Sequence, residues 1–323
     1  MTAPHPISNI DVSNPGDLTA SCPRISIVIP TLNAGPGLAT LLERLAAQKP
    51  GPPDEIVMID SGSTDETERI ARACPSVRWI PIQRFSHGGA RNLGARESRG
   101  DFVVLMTQDA IPANTAWLER LLAPLADPKV AAVCSRQIPR ADAPPTEQFF
   151  LAYHFPPGRP VRRSKPANRE PTLEDVFFSN VSAGMRRSIL LRYPFDETLI
   201  MSEDQQFAKD VINAGFDVVY QPESVVTHSH RYSLSTAFRR YFDSVYSLTV
   251  IFPRHDVQTT AAMGRRYLRQ EILYMVRHHP WYLPYYGLYN LAKASGTLAA
   301  HVADRLPPWL LRRLSLHRYH WES

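Results

Sequence analysis

Apolar runs that end abruptly in polar residues recur along the first two-thirds of the chain, and apolar positions at helical spacing follow several of them. Ile25-Ser-Ile-Val-Ile-Pro30, Glu55-Ile-Val-Met-Ile-Asp60 and Val77-Arg-Trp-Ile-Pro81 predict three strands, and Leu38, Leu41, Leu42 and Leu45 mark one side of a helix after the first. Phe102-Val-Val-Leu-Met106 runs into Thr107-Gln108-Asp109 and stops at Pro112, which predicts a buried central strand ending in a site. A helix from about Thr115, with Trp117, Leu118, Leu121, Leu122 and Leu125 on one side, and a strand over Val130-Ala-Ala-Val-Cys-Ser135 follow. Repeated strand, loop and helix is the plan of a nucleotide-binding α/β half, in which ligands sit beyond the carboxyl ends of the strands. Asp60 and Asp109 both fall at such ends.

The repetition then breaks. Eight prolines between Pro139 and Pro171, with Phe149, Phe150, Tyr153 and Phe155, predict a long irregular insertion, read as a lid or acceptor-side loop. Val176–Ser182 predicts a strand, and a helix capped by Ser202 follows, burying Phe207, Val211 and Ala214 before Gly215 ends it. Phe216–Tyr220 and Ser224–His230 predict two short strands, the second presenting His228 and His230 on one face, as a metal or phosphate site would need.

Composition adds one division. The 323 residues, 44% hydrophobic and 21% charged, are ordinary globular material. Residues 1–23 read as a flexible arm. From Tyr232 onward there are 12 Lys and Arg against 5 Asp and Glu, whereas the preceding part carries 24 against 26. In that basic tail, Arg239-Arg240 lie among Phe238, Tyr241 and Phe242, and Trp281 and Trp309 recur near further cations. Such a mixture suits a membrane interface, with an oligomer contact or plain helical packing as alternatives. Nucleic acid ranks lower, since no nucleic-acid motif is present. No apolar run approaches the ~20 residues of a membrane span, so membrane contact is expected to be peripheral. Three cysteines without paired spacing and no basic-then-apolar leader predict a cytoplasmic protein.

Several polar positions invite chemistry. Asp60 either accepts from the N3–H of a pyrimidine or closes its own turn, and Ser63 and Glu66 have the spacing of a capping box. Gly88 and Gly89, with His87 and Arg91 at a helix start, suit an anion such as a diphosphate. Asp109 suits a divalent cation. Glu203 and Asp204 either complement the dipole of their helix or take part in a reaction.

Taken in order, Val28-Ile-Pro-Thr-Leu-Asn33, Ile59-Asp-Ser-Gly-Ser-Thr-Asp65, Gly89-Ala-Arg-Asn-Leu-Gly94, the strand with Asp109, and Glu203-Asp204 resemble glycosyltransferase family 2. Phe85-Ser-His-Gly-Gly-Ala-Arg-Asn92, Thr107-Gln-Asp-Ala110, Arg136-Gln137, Phe178-Ser-Asn-Val-Ser182 and His228-Ser-His230 resemble, more narrowly, bacterial rhamnosyltransferases of O-antigen and exopolysaccharide assembly. The resemblance implies an α/β GT-A catalytic domain over 24–231, with 139–171 as its lid or acceptor loop. A mainly helical, basic appendage over 232–323 would serve membrane association or oligomerisation. It implies that Thr31 and Asp60 help hold a pyrimidine nucleoside, with Asn33, Ser61, His87, Arg91, Asn92 and Gln108 completing the nucleotide-sugar site. Asp109 and His228 would bind Mg²⁺ or Mn²⁺, Thr107 standing where the family has the first Asp of Asp-x-Asp. Asp204 would be the general base, with Glu203 as alternative or orienting partner. The reaction so implied is inverting transfer of L-rhamnose from dTDP-β-L-rhamnose to a lipid-linked or polysaccharide acceptor, at the inner face of the cytoplasmic membrane. A UDP-sugar donor, or a catalytically silent module that binds nucleotide-sugar or scaffolds an assembly, are the alternatives.

Overall fold

The computed structural model describes residues 23–253 and 257–321, so all of the N-terminal arm but Pro23 lies outside the described residues. Strands β1 (Ile25–Thr31), β2 (Glu55–Asp60) and β3 (Val77–Pro81) are parallel and joined by helices α1 (Gly37–Ala46) and α2 (Thr67–Arg72). Helix α3 (His87–Glu97) leads to β4 (Phe102–Met106), which pairs parallel to β1 on the side away from β2. The chain continues through β5 (Ile111–Pro112), α4 (Trp117–Leu122), β6 (Val130–Ile138), α5 (Pro145–His154), β7 (Val161–Arg163), β8 (Ser182–Arg186), α6 (Arg187–Arg192), α7 (Glu203–Asn213) and β9 (Asp217–Thr227). The strands form one mixed sheet in the order β3-β2-β1-β4-β8-β6-β9-β5, with β7 beside β9. Helices α8 (Leu234–Ile251), α9 (Val257–His278), α10 (Leu283–His301) and α11 (Pro308–Leu314) follow.

Alternation along the strands divides the core into two layers. Ile27, Ile29, Met58, Val104 and Met106 meet Leu38 and Leu41 of α1 and Trp117 and Leu121 of α4. Val28, Val57, Ile59, Val103 and Leu105 meet Ala90 of α3 and Phe207 and Val211 of α7. Helices on both faces explain why these strands read as unbroken apolar runs. The reversal of direction from β1, which leads to β2, to β4 on its other side leaves a crevice at their carboxyl ends, where Asp60 and Asp109 lie.

Five local expectations are corrected. The insertion at 139–171 contains helix α5 and edge strand β7, because its apolar Phe149, Leu151 and Phe155 find burial. The strand expected at Val176–Ser182 begins only at Ser182, whose partner is Met106 at the end of β4, and the residues before it turn into the crevice. The two short strands after Gly215 are one strand, β9, with a register shift opposite Ser135 and Arg136 that carries it past Ser224. No capping box forms at α2: Ser63 turns back onto Asp60, and Asp65 accepts instead from the Thr67 N–H at 3.0 Å. Ser202 precedes α7 in a left-handed conformation (φ 64°) with no side-chain cap, and Ala208 and Ile212 take the buried place expected of Ala214.

The C-terminal helices are held against the α/β half. Gly296 of α10 packs on the α8 backbone, where a Cβ would collide with the Phe238 carbonyl. Tyr274 of α9 reaches Gln148 of α5 at 3.3 Å. No helix among the described residues is long and apolar enough to cross a membrane.

Candidate active site

At the carboxyl ends of β1, β2 and β4 the candidate nucleoside residues organise three loops. Thr31 and Asp60 are register partners, and the Thr31 carbonyl accepts from Ser61 N–H and Oγ–H at 3.0 and 3.1 Å. The Asp60 carboxylate accepts from the N–H of Gly62 and Ser63, each at 3.0 Å, so it closes its turn. Asn33, at φ 47°, donates its N–H to Ser63 Oγ and accepts from the Thr64 N–H, both at 2.9 Å. Gln108 ties the β4 loop to the β1 loop by accepting from and donating to the Leu32 backbone.

Helix α3 reaches the cavity described below through His87 and Arg91, but its glycines and Asn92 meet other parts of the chain. A Cβ on Gly88 would come within 2.7 Å of the Asp196 carbonyl, and one on Gly89 within 3.2 Å of the Glu197 carboxylate. Gly88 therefore admits the chain's own 195–197 segment, and Gly89 that segment together with the Ser86 cap at 2.7 Å, rather than a ligand. Asn92 locks that segment: its amide donates to the Phe195 carbonyl and to Glu197, and accepts from the Phe195 N–H. His87 faces the C-terminal segment, its ring edge-on to His317 at 4.8 Å. Burial pushes His87 down to about 4, so it is neutral at physiological pH.

Arg91 is not free for an anion either. Its Nη1 lies 3.1 Å from Glu203 Oε1, and both residues are 5% exposed. Burial works against the Glu203 charge, but Arg91 holds its carboxyl below the usual range. Asn180 bridges the acidic pair, its side-chain amide donating to Glu203 and its backbone N–H to Asp204, both at 3.3 Å. Burial and the adjoining Glu203 charge push Asp204 up to about 7. A carboxylate so tuned accepts a proton near neutral pH far more readily than an ordinary one.

Asp109 meets both histidines that follow β9. Its Oδ1 is 3.6 Å from His228 Nε2 and its Oδ2 is 3.9 Å from His230 Nδ1. One ligand atom from each residue lies within 4.8 Å of the others, a spacing and donor set suited to a divalent ion. His228 Nδ1 is 2.9 Å from Gln137 Oε1, which can only accept, so the proton is on Nδ1 and the Nε2 lone pair faces Asp109. Arg140 clamps the two ligand loops, donating to the Asp109 carbonyl at 2.7 Å and the Ser229 carbonyl at 2.8 Å.

His87, Arg91, Asp109, Glu203, Asp204, His228 and His230 line one cavity of about 420 Å³. Thr107 is there too, its buried Oγ without a hydrogen-bond partner. Thr31, Asn33, Asp60, Ser61, Asn92 and Gln108 are not part of its wall.

The family model for glycosyl transferase family 2 matches residues 26–193. The chain belongs to glycosyltransferase family 2. It is 32% identical over 305 residues to the O-antigen chain rhamnosyltransferase RfbN of Salmonella typhimurium, a match covering 93% of this chain and 96% of that protein. The same figures hold for the O-antigen chain rhamnosyltransferase WbaN of Salmonella anatum. The fold is similar to that of the mannosyltransferase PcManGT from Pyrobaculum calidifontis, solved with GDP-Man and Mn²⁺, with a TM-score of 0.55, 21% identity, and 94% and 86% of the two chains covered. It is also similar to glucosyl-3-phosphoglycerate synthase from Mycobacterium tuberculosis, with a TM-score of 0.52, 19% identity, and 73% and 82% covered.

The protein is thus a GT-A glycosyltransferase, with a nucleotide-sugar donor and an acceptor as its substrates. Residues that sequence reasoning left out of this transferase's site fall into two groups. Gln137 and Asn180 lie within motifs singled out earlier, and their roles as supports emerge only from their contacts. Arg240, Tyr289 and Lys293 line the cavity from the C-terminal helices; Arg240 belongs to the basic, aromatic run read above as a membrane surface, and no local pattern marks Tyr289 or Lys293.

Proposed function

We propose that this glycosyltransferase moves L-rhamnose from dTDP-β-L-rhamnose to a saccharide acceptor carried on lipid, with inversion, at the inner face of the cytoplasmic membrane. The observation that carries the mechanism is the sharing of one cavity by Asp204, raised to about 7, and the Asp109–His228–His230 cluster. The names of the Salmonella relatives, matched over nearly their whole length, support the sugar and the acceptor class.

Asp204 takes the proton of an acceptor hydroxyl as that oxygen attacks the anomeric carbon from the side opposite the diphosphate. The bond from that carbon to the diphosphate oxygen breaks in the same step, so a β-linked donor yields an α-linked product. Glu203, kept ionised by Arg91, maintains the basicity of Asp204. Asp109, His228 and His230 would hold a divalent cation, which would supply positive charge to stabilise the departing diphosphate. Two imidazoles with one carboxylate favour Mn²⁺ over Mg²⁺, which prefers oxygen ligands. Arg240, with no carboxylate partner among the described residues, and the unpartnered Thr107 hydroxyl line the same cavity and would be donors to that diphosphate. Thr31, Asn33, Asp60, Ser61 and Gln108 shape the neighbouring nucleoside site, where Asp60, already accepting from Gly62 N–H and from Ser63 N–H and Oγ–H, has one acceptor position left for a base N–H.

The membrane reading rests on the outer surface of the C-terminal helices. Leu268, Ile272, Leu273 and Val276 of α9 and Leu288, Leu291 and Leu298 of α10 are exposed, as are Trp281 (72%) and Trp309 (61%). Arg265, Arg269 and Arg277 are exposed on α9 beside them, which fits an anionic bilayer surface better than water alone.

The test is release of dTDP from dTDP-β-L-rhamnose, with the product anomer read by NMR. Asp204→Asn is expected to slow release by about 10²–10⁴-fold. Release from a UDP-sugar alone would overturn the donor assignment, and full activity in Asp204→Asn would overturn the mechanism.

A further inference from the structure

The cavity that holds Asp204 carries a second cluster, contributed by α8, α9 and α10, that the transfer chemistry above leaves unused. Lys293 Nζ lies 3.6 Å from Glu271 Oε2. The rings of Tyr241, Tyr267 and Tyr289 surround that ammonium at 5.1, 5.3 and 5.7 Å from their centroids. Hydroxyls of Tyr267 and Tyr286 donate to the Glu271 carboxylate at 3.3 and 3.1 Å. Glu271 is 1% exposed and Lys293 9%, yet both line the cavity together with the three ringing tyrosines.

Fold stability is a weak reason for this arrangement. Desolvating an ion pair offsets most of its attraction, and apolar residues of similar size would pack as well. Recognition is a better one. The pair neutralises itself, so the cluster offers no net charge to an anion. That separates it from Arg240, whose guanidinium lies over the ring of Tyr232 beside His230 and has no carboxylate partner among the described residues. Aromatic faces match apolar C–H surface, while ammonium donors and carboxylate lone pairs between the rings match hydroxyls. A neutral sugar ring presents both kinds of surface at once, and an acyl chain or a phosphate presents only one.

We propose that Tyr241, Tyr267, Tyr289 and the Lys293–Glu271 pair form the acceptor subsite, which takes an uncharged sugar residue and holds it with a hydroxyl toward Asp204. The inference rests on the transferase reading above and adds the chemical class of the acceptor group at the site. It also explains why the helical tail is docked on α5 and on and just before α7 rather than merely tethered: acceptor and donor walls must be in fixed relation for one displacement to join them.

The experiment uses the full chain with dTDP-β-L-rhamnose and Mn²⁺, following dTDP release as methyl glycosides of galactose, glucose, mannose, rhamnose and glucuronic acid are titrated. At least one neutral glycoside is expected to stimulate release saturably, with the glucuronide needing at least tenfold more. Tyr289→Ala is expected to raise the KM for that neutral glycoside at least tenfold while kcat changes less than threefold. Tyr289→Phe, which keeps the ring, should restore the wild-type KM and guards against a folding defect. Lys293→Met should raise the same KM. A preference for the glucuronide, release that no glycoside stimulates, or a Tyr289→Ala defect confined to kcat would overturn the subsite alone. Absence of any release by the wild type with this donor or with UDP-sugars would overturn the transferase reading and the subsite with it.

Discussion

Arg91 on α3 and Glu203 on α7 are joined by a 3.1 Å ion pair, both 5% exposed, directly beside Asp204. Removing one member of a buried pair leaves the other charge without compensation. Arg91→Met is therefore expected to cost about 3–5 kcal/mol in urea unfolding. A loss under 1 kcal/mol would show that water reaches Glu203 in the folded protein.

Glu203 also sets the pH profile. Asp204 accepts a proton only when ionised, so kcat/KM should rise with unit slope up to about pH 7 and level off above it. In Glu203→Gln the neighbouring negative charge is gone, Asp204 becomes more acidic, and the acid limb should move to lower pH. A limb that stays in place would assign it to another group.

The same tuning has a stability consequence. Asp204 is raised from 3.8 to about 7 in the folded protein, so folding at alkaline pH must carry a buried charge that the unfolded chain holds at no cost. Asp204→Asn removes that cost and should be more stable than wild type by about 1–3 kcal/mol at pH 8. The advantage should shrink as pH falls through 7 toward 4, where the wild-type carboxyl is protonated on folding. Denaturation at pH 8 and pH 5 tests the sign.

Metal affinity should depend on residues that never touch the ion. Gln137 fixes the tautomer of His228, so Gln137→Leu is expected to weaken Mn²⁺ binding about 10–100-fold by calorimetry. Asp109→Ala should abolish measurable binding. Unchanged affinity in both variants would remove the Asp109–His228–His230 cluster as the metal site.

Membrane contact should need both the rings and the charges of the tail. Trp281→Ala and Trp309→Ala together should lower binding to anionic liposomes, and binding should weaken as salt is raised from low to physiological ionic strength. Equal binding to neutral vesicles would count against the charge contribution.

The sheet was legible because its chemistry is local and repetitive. β1, β2 and β4 are covered on both faces, so an unbroken apolar run and the polar residue after it were enough to place Asp60 and Asp109 at strand ends. Gly88 and Gly89 were read as room for a ligand because a sequence does not say which neighbour occupies the space a missing side chain leaves; here it is the 195–197 segment. Arg91 read as a free cation for the same reason, since its partner lies more than a hundred residues away.

By itself, the sequence determined the α/β plan, the strand-end acids, the His-x-His pair and the membership of a glycosyltransferase family, because these depend on residue type at fixed spacing. Tertiary structure decided that His230 joins Asp109 and His228, that Arg91 is committed to Glu203, and that Asp204 titrates near neutrality. It also decided that α8–α10 turn tyrosines, Arg240 and Lys293 into the cavity. Those outcomes depend on burial and on distances between remote segments, and neither is encoded in any short stretch of chain.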